Sequence, residues 1–97
     1  MFARVITIQI QPGKIEEAIG IYRDTVIPAA KQQKGFSSAM LLTEPATGKG
    51  ISISVWESEA DQKASEASGY LQQVLAKIGT TFAGPPVREG LVVSCQS

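Results

Sequence analysis

Residues 36–57, FSSAMLLTEPATGKGISISVWE, contain two β-strand patterns separated by a turn. The first pattern covers Phe36–Glu44 and the second covers Ile51–Glu57, and both are rich in apolar and β-branched residues. Pro45–Gly50 between them has the proline and glycine content of a turn. This stretch therefore predicts an antiparallel hairpin in the middle of the chain.

Helical patterns lie on both sides of the hairpin. Before it, apolar residues recur at spacings of three and four over Lys14–Lys34, although Pro28 falls inside this pattern and predicts a kink or a break. After it, Ser58 can cap a short helix that continues to Ala67, and a second helical piece covers Gly69–Ile78. The hairpin is thus expected to have one helical region on each side.

A strand at each end completes the pattern. In Phe2–Ile10 the isoleucines Ile6, Ile8 and Ile10 alternate with other residues, and Val87–Cys95 alternates in the same way. The resulting order, βαββαβ, predicts a single α+β domain over residues 1–97 with the ferredoxin-like fold. We expect a four-stranded antiparallel sheet with the helices on one face.

The two faces of the third predicted strand differ in composition. One face carries three apolar residues, Ile51, Ile53 and Val55, and the other carries Ser52, Ser54 and Trp56. We expect the isoleucine and valine face to pack under the helices and the other face to lie uncovered. Because a domain of this size has a thin core, the uncovered face predicts a homodimer that forms through Ser52, Ser54, Trp56 and Val92.

Charge and composition exclude several function classes. Nine Lys and Arg residues balance nine Asp and Glu residues, and the chain has no basic stripe, so we predict no nucleic-acid partner. Its apolar stretches are far shorter than the ~18 residues that cross a bilayer, and the first residues lack the apolar core of a signal peptide, so we predict no membrane association and a cytoplasmic location. The chain has no His and a single Cys, which predicts no cofactor, no haem ligation and no catalytic metal.

Four segments, spread over most of the chain, carry a resemblance to a known family. They are Gln11-Pro12-Gly13-Lys14, Gly35-Phe36, Val55-Trp56-Glu57-Ser58-Glu59-Ala60 and Ser68-Gly69-Tyr70-Leu71. In order and spacing the chain resembles the antibiotic biosynthesis monooxygenase (ABM) family. The resemblance implies that two domains pair sheet to sheet as a dimeric α/β barrel, with a pocket in each domain or in the barrel interior. Activities in that family include cofactor-free oxygenation of phenolic polyketides to quinones, haem degradation and quinol oxidation.

The resemblance also implies site residues. In the quinone-forming members an Asn, a Trp and an Arg surround the pocket. Here the Trp corresponds to Trp56, the residue four positions earlier is Ser52 in place of Asn, and the Arg corresponds to Arg88. The relatives that degrade haem hold its iron with a His, which this chain lacks. The chain thus departs from the quinone-forming members at one position, and it fits the haem-degrading members less well because it has no His.

Two functions follow as alternatives. The first is a cofactor-independent monooxygenase that acts on a small aromatic, phenolic or quinol-like substrate, with Trp56 and Arg88 as catalytic residues. Its predicted substrate-binding residues are Ser52, Ser54, Tyr70 and Tyr22. The second is a non-catalytic protein of the same fold that binds small molecules or a partner, in which Trp56 only seals an interface and Tyr22 is only a core residue. An inward-pointing Arg4 or Arg88 would mark a site, since a buried charge is costly.

Overall fold

A computed structural model describes all 97 residues of the chain. Its elements, in chain order, are β1 (Phe2–Gln9), α1 (Ile15–Ile21), a π-helical turn (Tyr22–Val26), α2 (Ile27–Lys31), β2 (Phe36–Glu44), β3 (Lys49–Trp56), α3 (Glu59–Ala67), α4 (Tyr70–Ile78), a 3-10 turn (Gly79–Thr81) and β4 (Val87–Val92). The order βαββαβ is the predicted one.

The four strands form one sheet in the order β2-β3-β1-β4, and all three pairings are antiparallel. The strands β1 and β3 are central, whereas β2 and β4 are at the edges. The helices pack on one face of the sheet, so the predicted ferredoxin-like α+β fold is confirmed. None of the helices combines the length and the apolar character needed to cross a bilayer.

The first helical region is interrupted where Pro28 predicted it. Helix α1 leads directly into the π-helical turn Tyr22–Val26, and α2 follows with Pro28 in its first turn. Proline has no N–H to donate to the carbonyl of Asp24, and a wider π-helical turn before it accommodates the missing bond. The interruption is therefore a change of helix type rather than a break, and it places Tyr22 over the sheet.

The second helical region begins after Ser58 and is divided into two helices, as predicted. Ser58 caps α3, and its hydroxyl accepts a hydrogen bond from the Asp61 amide at 3.1 Å. Gly69 separates α3 from α4 with a φ of 87°, in the left-handed region that favours glycine. Helix α4 then buries Tyr70, Leu71, Val74 and Ile78 against the sheet and the first helical region.

The prediction for the two sheet faces was wrong. Ser52 lies directly opposite Ile6, and Ser54 lies directly opposite Arg4, so these residues share one face. That face packs under the helices, where Trp56 is completely buried. The isoleucines of β1 direct this face inward, and the register between the strands brings the small serines with them.

The opposite face of the sheet is apolar and has no cover from this chain. Its central row is Val5, Ile53 and Met40, which lie side by side in the register. Met40 and Leu42 are 52% and 48% exposed. The uncovered face is therefore the isoleucine and valine face. We call it the open face, and define it by Val5, Met40, Leu42, Ile51, Ile53, Val55, Val87 and Leu91.

Candidate functional site

A cavity of about 40 Å³ lies between the sheet and the helices. Of its 16 lining residues 13 are hydrophobic, so a ligand there would be held mainly by apolar contact. The polar atoms on its wall come from Arg4, Ser52 and Ser54 of the sheet and from the hydroxyls of Tyr22 and Tyr70. Apolar walls with a few placed polar groups are typical of small-molecule sites.

The apolar wall is built from both layers of the fold. Sheet residues with alternate spacing form the floor, and the π-helical turn, α2, α4 and the segment after it form the roof. These residues are Ile6, Ile8, Ala39 and Leu41 below, and Val26, Ala30, Leu71, Val74, Leu75, Ile78 and Phe82 above. The cavity thus lies between the two layers of one chain.

Tyr22 and Ser52 connect the roof to the floor. The Tyr22 hydroxyl donates a hydrogen bond to the carbonyl oxygen of Met40 at 3.0 Å, and it lies 2.9 Å from the Ser52 Oγ. Because the single phenol proton goes to the carbonyl, Ser52 is the donor in the second bond. The lone pairs of Ser52 therefore remain available to a ligand hydroxyl.

Arg4 is the cation of the cavity. Its side chain is only 2% exposed, and its Nη1 donates to the Ser65 Oγ of α3 at 3.1 Å. The guanidinium carbon lies 5.2 Å from the centroid of the Trp56 ring, within the range of a cation–π contact. The Tyr70 hydroxyl lies near the guanidinium but makes no hydrogen bond of good geometry with it.

Burial sets the protonation of the titratable groups in the cavity. Desolvation raises the pKa of the Tyr22 and Tyr70 hydroxyls above the usual value of 10.0. The same desolvation lowers the pKa of Arg4 below its usual value, and the nearby Tyr70 hydroxyl offsets part of this lowering. No Asp, Glu, Lys or Cys lines the cavity, so at neutral pH it contains neutral hydroxyls and one guanidinium. No three acidic or Cys side chains of this chain cluster as metal ligands would.

Four of the predicted site residues come together in the cavity, and two do not. Ser52, Ser54, Tyr22 and Tyr70 all line it. Trp56 does not, because its ring lies behind the wall, where its Nε1 donates to the Ser54 Oγ at 3.0 Å.

The second residue outside the cavity is Arg88. It lies on the edge strand β4, is 49% exposed and forms an ion pair with Glu66 of α3 at 3.0 Å. Its guanidinium is therefore already occupied at the surface.

The arginine that does reach the cavity is Arg4. The sequence indicated it, with Arg88, as one of two arginines that would mark a site if it pointed inward. A signal for it existed, because the alternation that puts Ile6 and Ile8 on the inner face also puts Arg4 there. A charged residue on the buried face of a strand next to two isoleucines is the unusual feature.

The family model for antibiotic biosynthesis monooxygenases matches residues 1–77, most of the chain. The chain belongs to the ABM family. Among curated proteins, it is 34% identical over 65 residues to one uncharacterised protein of Mycobacterium tuberculosis strain H37Rv, and 30% identical over 89 residues to another. These matches cover 67% and 92% of this chain but only 28% and 39% of the relatives, so this ABM chain spans about a third of their length.

Solved structures of low identity share the fold. A cofactor-independent oxygenase from Streptomyces nogalater, solved as a variant with one asparagine replaced by alanine, superposes with a TM-score of 0.80 at 14% identity and covers 98% of this chain and 94% of its own. A Streptomyces coelicolor monooxygenase, solved with the ligand nanaomycin D, superposes with a TM-score of 0.76 at 20% identity. The match covers 99% of this chain and 89% of that chain. At these low sequence identities the structural similarities show a shared fold and no more.

Proposed function

We propose that this ABM protein oxygenates a small phenolic or quinol-like aromatic molecule in the cavity, without a cofactor. The observation that carries the proposal is the cavity wall, where apolar residues surround the hydroxyls of Tyr22, Ser52 and Tyr70. A flat ring would contact the apolar wall, its ionised oxygen would bind Arg4, and a further hydroxyl on the ring would donate to Ser52. The fold shared with a cofactor-independent oxygenase and a monooxygenase supports this function class.

The proposed reaction uses dioxygen as the oxidant. A phenol with a free ring position opposite its hydroxyl reacts with O₂ to give a quinone and water. One oxygen atom becomes the new carbonyl, the other leaves as water, and the substrate supplies all four electrons. The ionised phenol is the electron donor, so the protein binds the phenolate, stabilises its charge and keeps bulk water away.

The cavity has residues that can bind and orient a phenolate, but it has none that can deprotonate a phenol. Arg4 would stabilise the phenolate, and Ser52, Tyr22 and Tyr70 would orient it. No residue on the wall is a base, because both tyrosines are protonated at neutral pH. The substrate is therefore proposed to enter as its anion.

Trp56 and Arg88 receive indirect roles in this proposal. Trp56 holds Ser54 through its indole N–H and holds Arg4 through its ring, so it is a positioning residue. Arg88 forms an ion pair at the surface with Glu66, which belongs to the same helix, α3, as Ser65. Neither side chain is proposed to touch the substrate.

The size of the cavity favours a single-ring substrate. At 10–15 Å³ of this volume for each water, 40 Å³ holds about three waters. A single ring needs a modest expansion, whereas a fused tricyclic molecule needs the roof to move far more. The π-helical turn is the part of the roof that we propose to move, since its hydrogen bonding is already irregular.

We also propose that two copies pair through the open face. A contiguous apolar sheet face left uncovered in a small domain is typical of an interface. This replaces the interface predicted on Ser52, Ser54, Trp56 and Val92, since the first three residues are packed under the helices of their own chain.

Oxygen consumption tests the proposed activity. Phenol, catechol and other single-ring phenols with a free ring position opposite a hydroxyl are supplied with the protein in an oxygen electrode, and the quinone product is identified by absorbance and mass. We expect saturable oxygen uptake and label from ¹⁸O₂ in the quinone. Ser52→Ala should raise KM, and Ser94→Ala, at an exposed serine, is the control. Saturable binding without oxygen uptake would favour the non-catalytic binding protein instead.

A further inference from the structure

The guanidinium of Arg4 is buried without a carboxylate. None of the ion pairs of the chain includes Arg4. Glu66 is one of the charges that influence it, but that carboxylate forms its ion pair with Arg88. A charge buried without a counter-charge is costly, and proteins ordinarily pair such groups. The structure therefore contains a buried cation that has no carboxylate partner within this chain.

The guanidinium also has unused donors. It carries five N–H groups, and one of them makes a well-formed bond, to Ser65. Because Arg4 lines the cavity, the remaining donors are accessible to a molecule bound there. Paired guanidinium N–H groups match the two oxygens of a carboxylate and also bind a single phenolate oxygen.

The position of Arg4 is fixed from two sides. The Ser65 hydroxyl donates to the carbonyl of Gln62 at 2.6 Å, so its lone pairs accept from Arg4. The Trp56 ring, itself immobilised against Phe36 and Tyr70, lies against the guanidinium. Binding of an anion would thus require little reorganisation of this side chain.

We infer that Arg4 is the oxyanion anchor of the cavity and that its ligand is a single-ring aromatic anion, a phenolate or an aryl carboxylate. The inference rests on the proposed function for the location of the ligand, but it concerns binding and does not depend on oxygenation. It places Trp56 and Ser65 behind Arg4 as positioning residues. It also assigns the anionic group of the ligand to the β1 side of the cavity, next to Tyr70.

The first test compares anions with neutral molecules of the same shape on the unmodified protein. Benzoate is compared with benzamide, and 4-nitrophenol with 4-nitroanisole, by calorimetry. 4-Nitrophenol also reports its own ionisation by absorbance, so binding beside Arg4 should increase its phenolate band at a pH near the phenol's pKa. We expect each anion to bind at least about 30-fold more tightly than its neutral counterpart, as for a buried charged hydrogen bond. Equal affinities would overturn the inference.

The second test replaces the guanidinium. Arg4→Met keeps an unbranched apolar stem and removes the guanidinium, and Arg23→Met, at an arginine that is 69% exposed and paired with Asp24, is the control. We expect Arg4→Met to abolish the 4-nitrophenolate signal. It should also weaken the binding of benzoate roughly 30-fold and leave the affinity for benzamide unchanged. Arg4→Lys should restore part of the affinity for phenolate and less of that for carboxylate, because lysine lacks the two-pronged geometry. Ser65→Ala should weaken the binding of both anions, but by a smaller factor than Arg4→Met does.

The outcomes separate this inference from the proposed oxygenase activity. If anions bind through Arg4 and no oxygen is consumed, the anion site stands and the oxygenase is lost. If phenols are oxygenated equally by the unmodified protein and by Arg4→Met, the oxygenase stands and the anion site is lost. A preference for carboxylate over phenolate identifies an aryl acid as the ligand, and the reverse preference identifies a phenol. Should Arg4→Met fail to fold, the comparison of benzoate with benzamide still decides.

Discussion

The hydroxyl groups of Tyr22 and Ser52 lie 2.9 Å apart across the cavity, and this contact joins the π-helical turn to the strand β3. The same tyrosine hydroxyl bonds to the Met40 carbonyl of β2. One side chain thus ties the first helical region to two neighbouring strands, and its position follows from the helix interruption before Pro28.

Removing this hydroxyl should destabilise the domain. In Tyr22→Phe the Met40 carbonyl and the Ser52 hydroxyl lose their partner, and the free energy of unfolding should fall by about 1–3 kcal/mol. Urea unfolding measures it. Tyr70→Phe is the control, because its hydroxyl makes no well-formed hydrogen bond as a donor, and it should cost less than about 1 kcal/mol. Equal losses in the two variants would contradict the role assigned to Tyr22.

Trp56 should behave as a core residue in mutagenesis. It is fully buried and packs edge-on against Phe36, with ring centroids 5.6 Å apart. Trp56→Ala should cost about 3–5 kcal/mol, a large share of the ~5–15 kcal/mol that stabilises a typical domain. Trp56→Phe keeps a ring over Arg4 but loses the bond to Ser54, and we expect a smaller loss of about 1–3 kcal/mol. Thermal unfolding of both variants measures this, and an unchanged Trp56→Ala would refute the buried role.

The open face should determine the oligomeric state. Light scattering of the unmodified protein should give twice the chain mass of 10.3 kDa. Leu42→Glu places a charge on the open face and should give a monomer, because a buried unpaired charge opposes association. Val92→Glu is the control, since Val92 is also exposed, at 68%, but points to the helix side of the sheet. A monomeric Val92→Glu together with a dimeric Leu42→Glu would place the interface elsewhere.

The pH dependence of oxygenation should follow the substrate rather than the protein. The cavity wall has no carboxylate, and the tyrosines stay protonated at neutral pH because burial raises their pKa. The rate should therefore rise with the ionised fraction of each phenol, and the midpoint should move when phenols of different pKa are compared. Initial rates of oxygen uptake between pH 6 and 9 measure it. A common midpoint for all phenols would indicate a base on the protein instead.

The buried tyrosines should also affect stability in alkaline solution. A hydroxyl whose folded pKa lies above its usual value of 10.0 stabilises the fold fully below that pH. The contribution is lost as the pH rises through the folded pKa, since deprotonation then favours the unfolded chain. The decline in stability above about pH 10 should be shallower in Tyr22→Phe than in the unmodified protein. Urea unfolding at a series of pH values compares the two slopes, and parallel slopes would exclude Tyr22 as a source.

The order of elements was predictable because its causes are local. The hairpin follows from the turn at Pro45–Gly50, the start of α3 from the hydroxyl of Ser58, and the helix interruption from the missing N–H of Pro28. Each of these effects acts within a few residues of the chain. The sequence by itself was therefore sufficient for the βαββαβ order and for the family resemblance that the family model later matched.

The faces of the sheet and the contents of the cavity were decided by tertiary structure. Both faces of β3 were plausible core, and only its register against β1, with Ser52 opposite Ile6, buried the serines and left the isoleucines uncovered. Tertiary structure also gives the two arginines different surroundings. Arg4 is on β1, which is central and lies beneath α3, whereas Arg88 is on the edge strand β4. Arg4 is therefore buried in the cavity, while Arg88 reaches solvent and Glu66. Strand register and strand order depend on contacts between distant parts of the chain, which a local pattern does not encode.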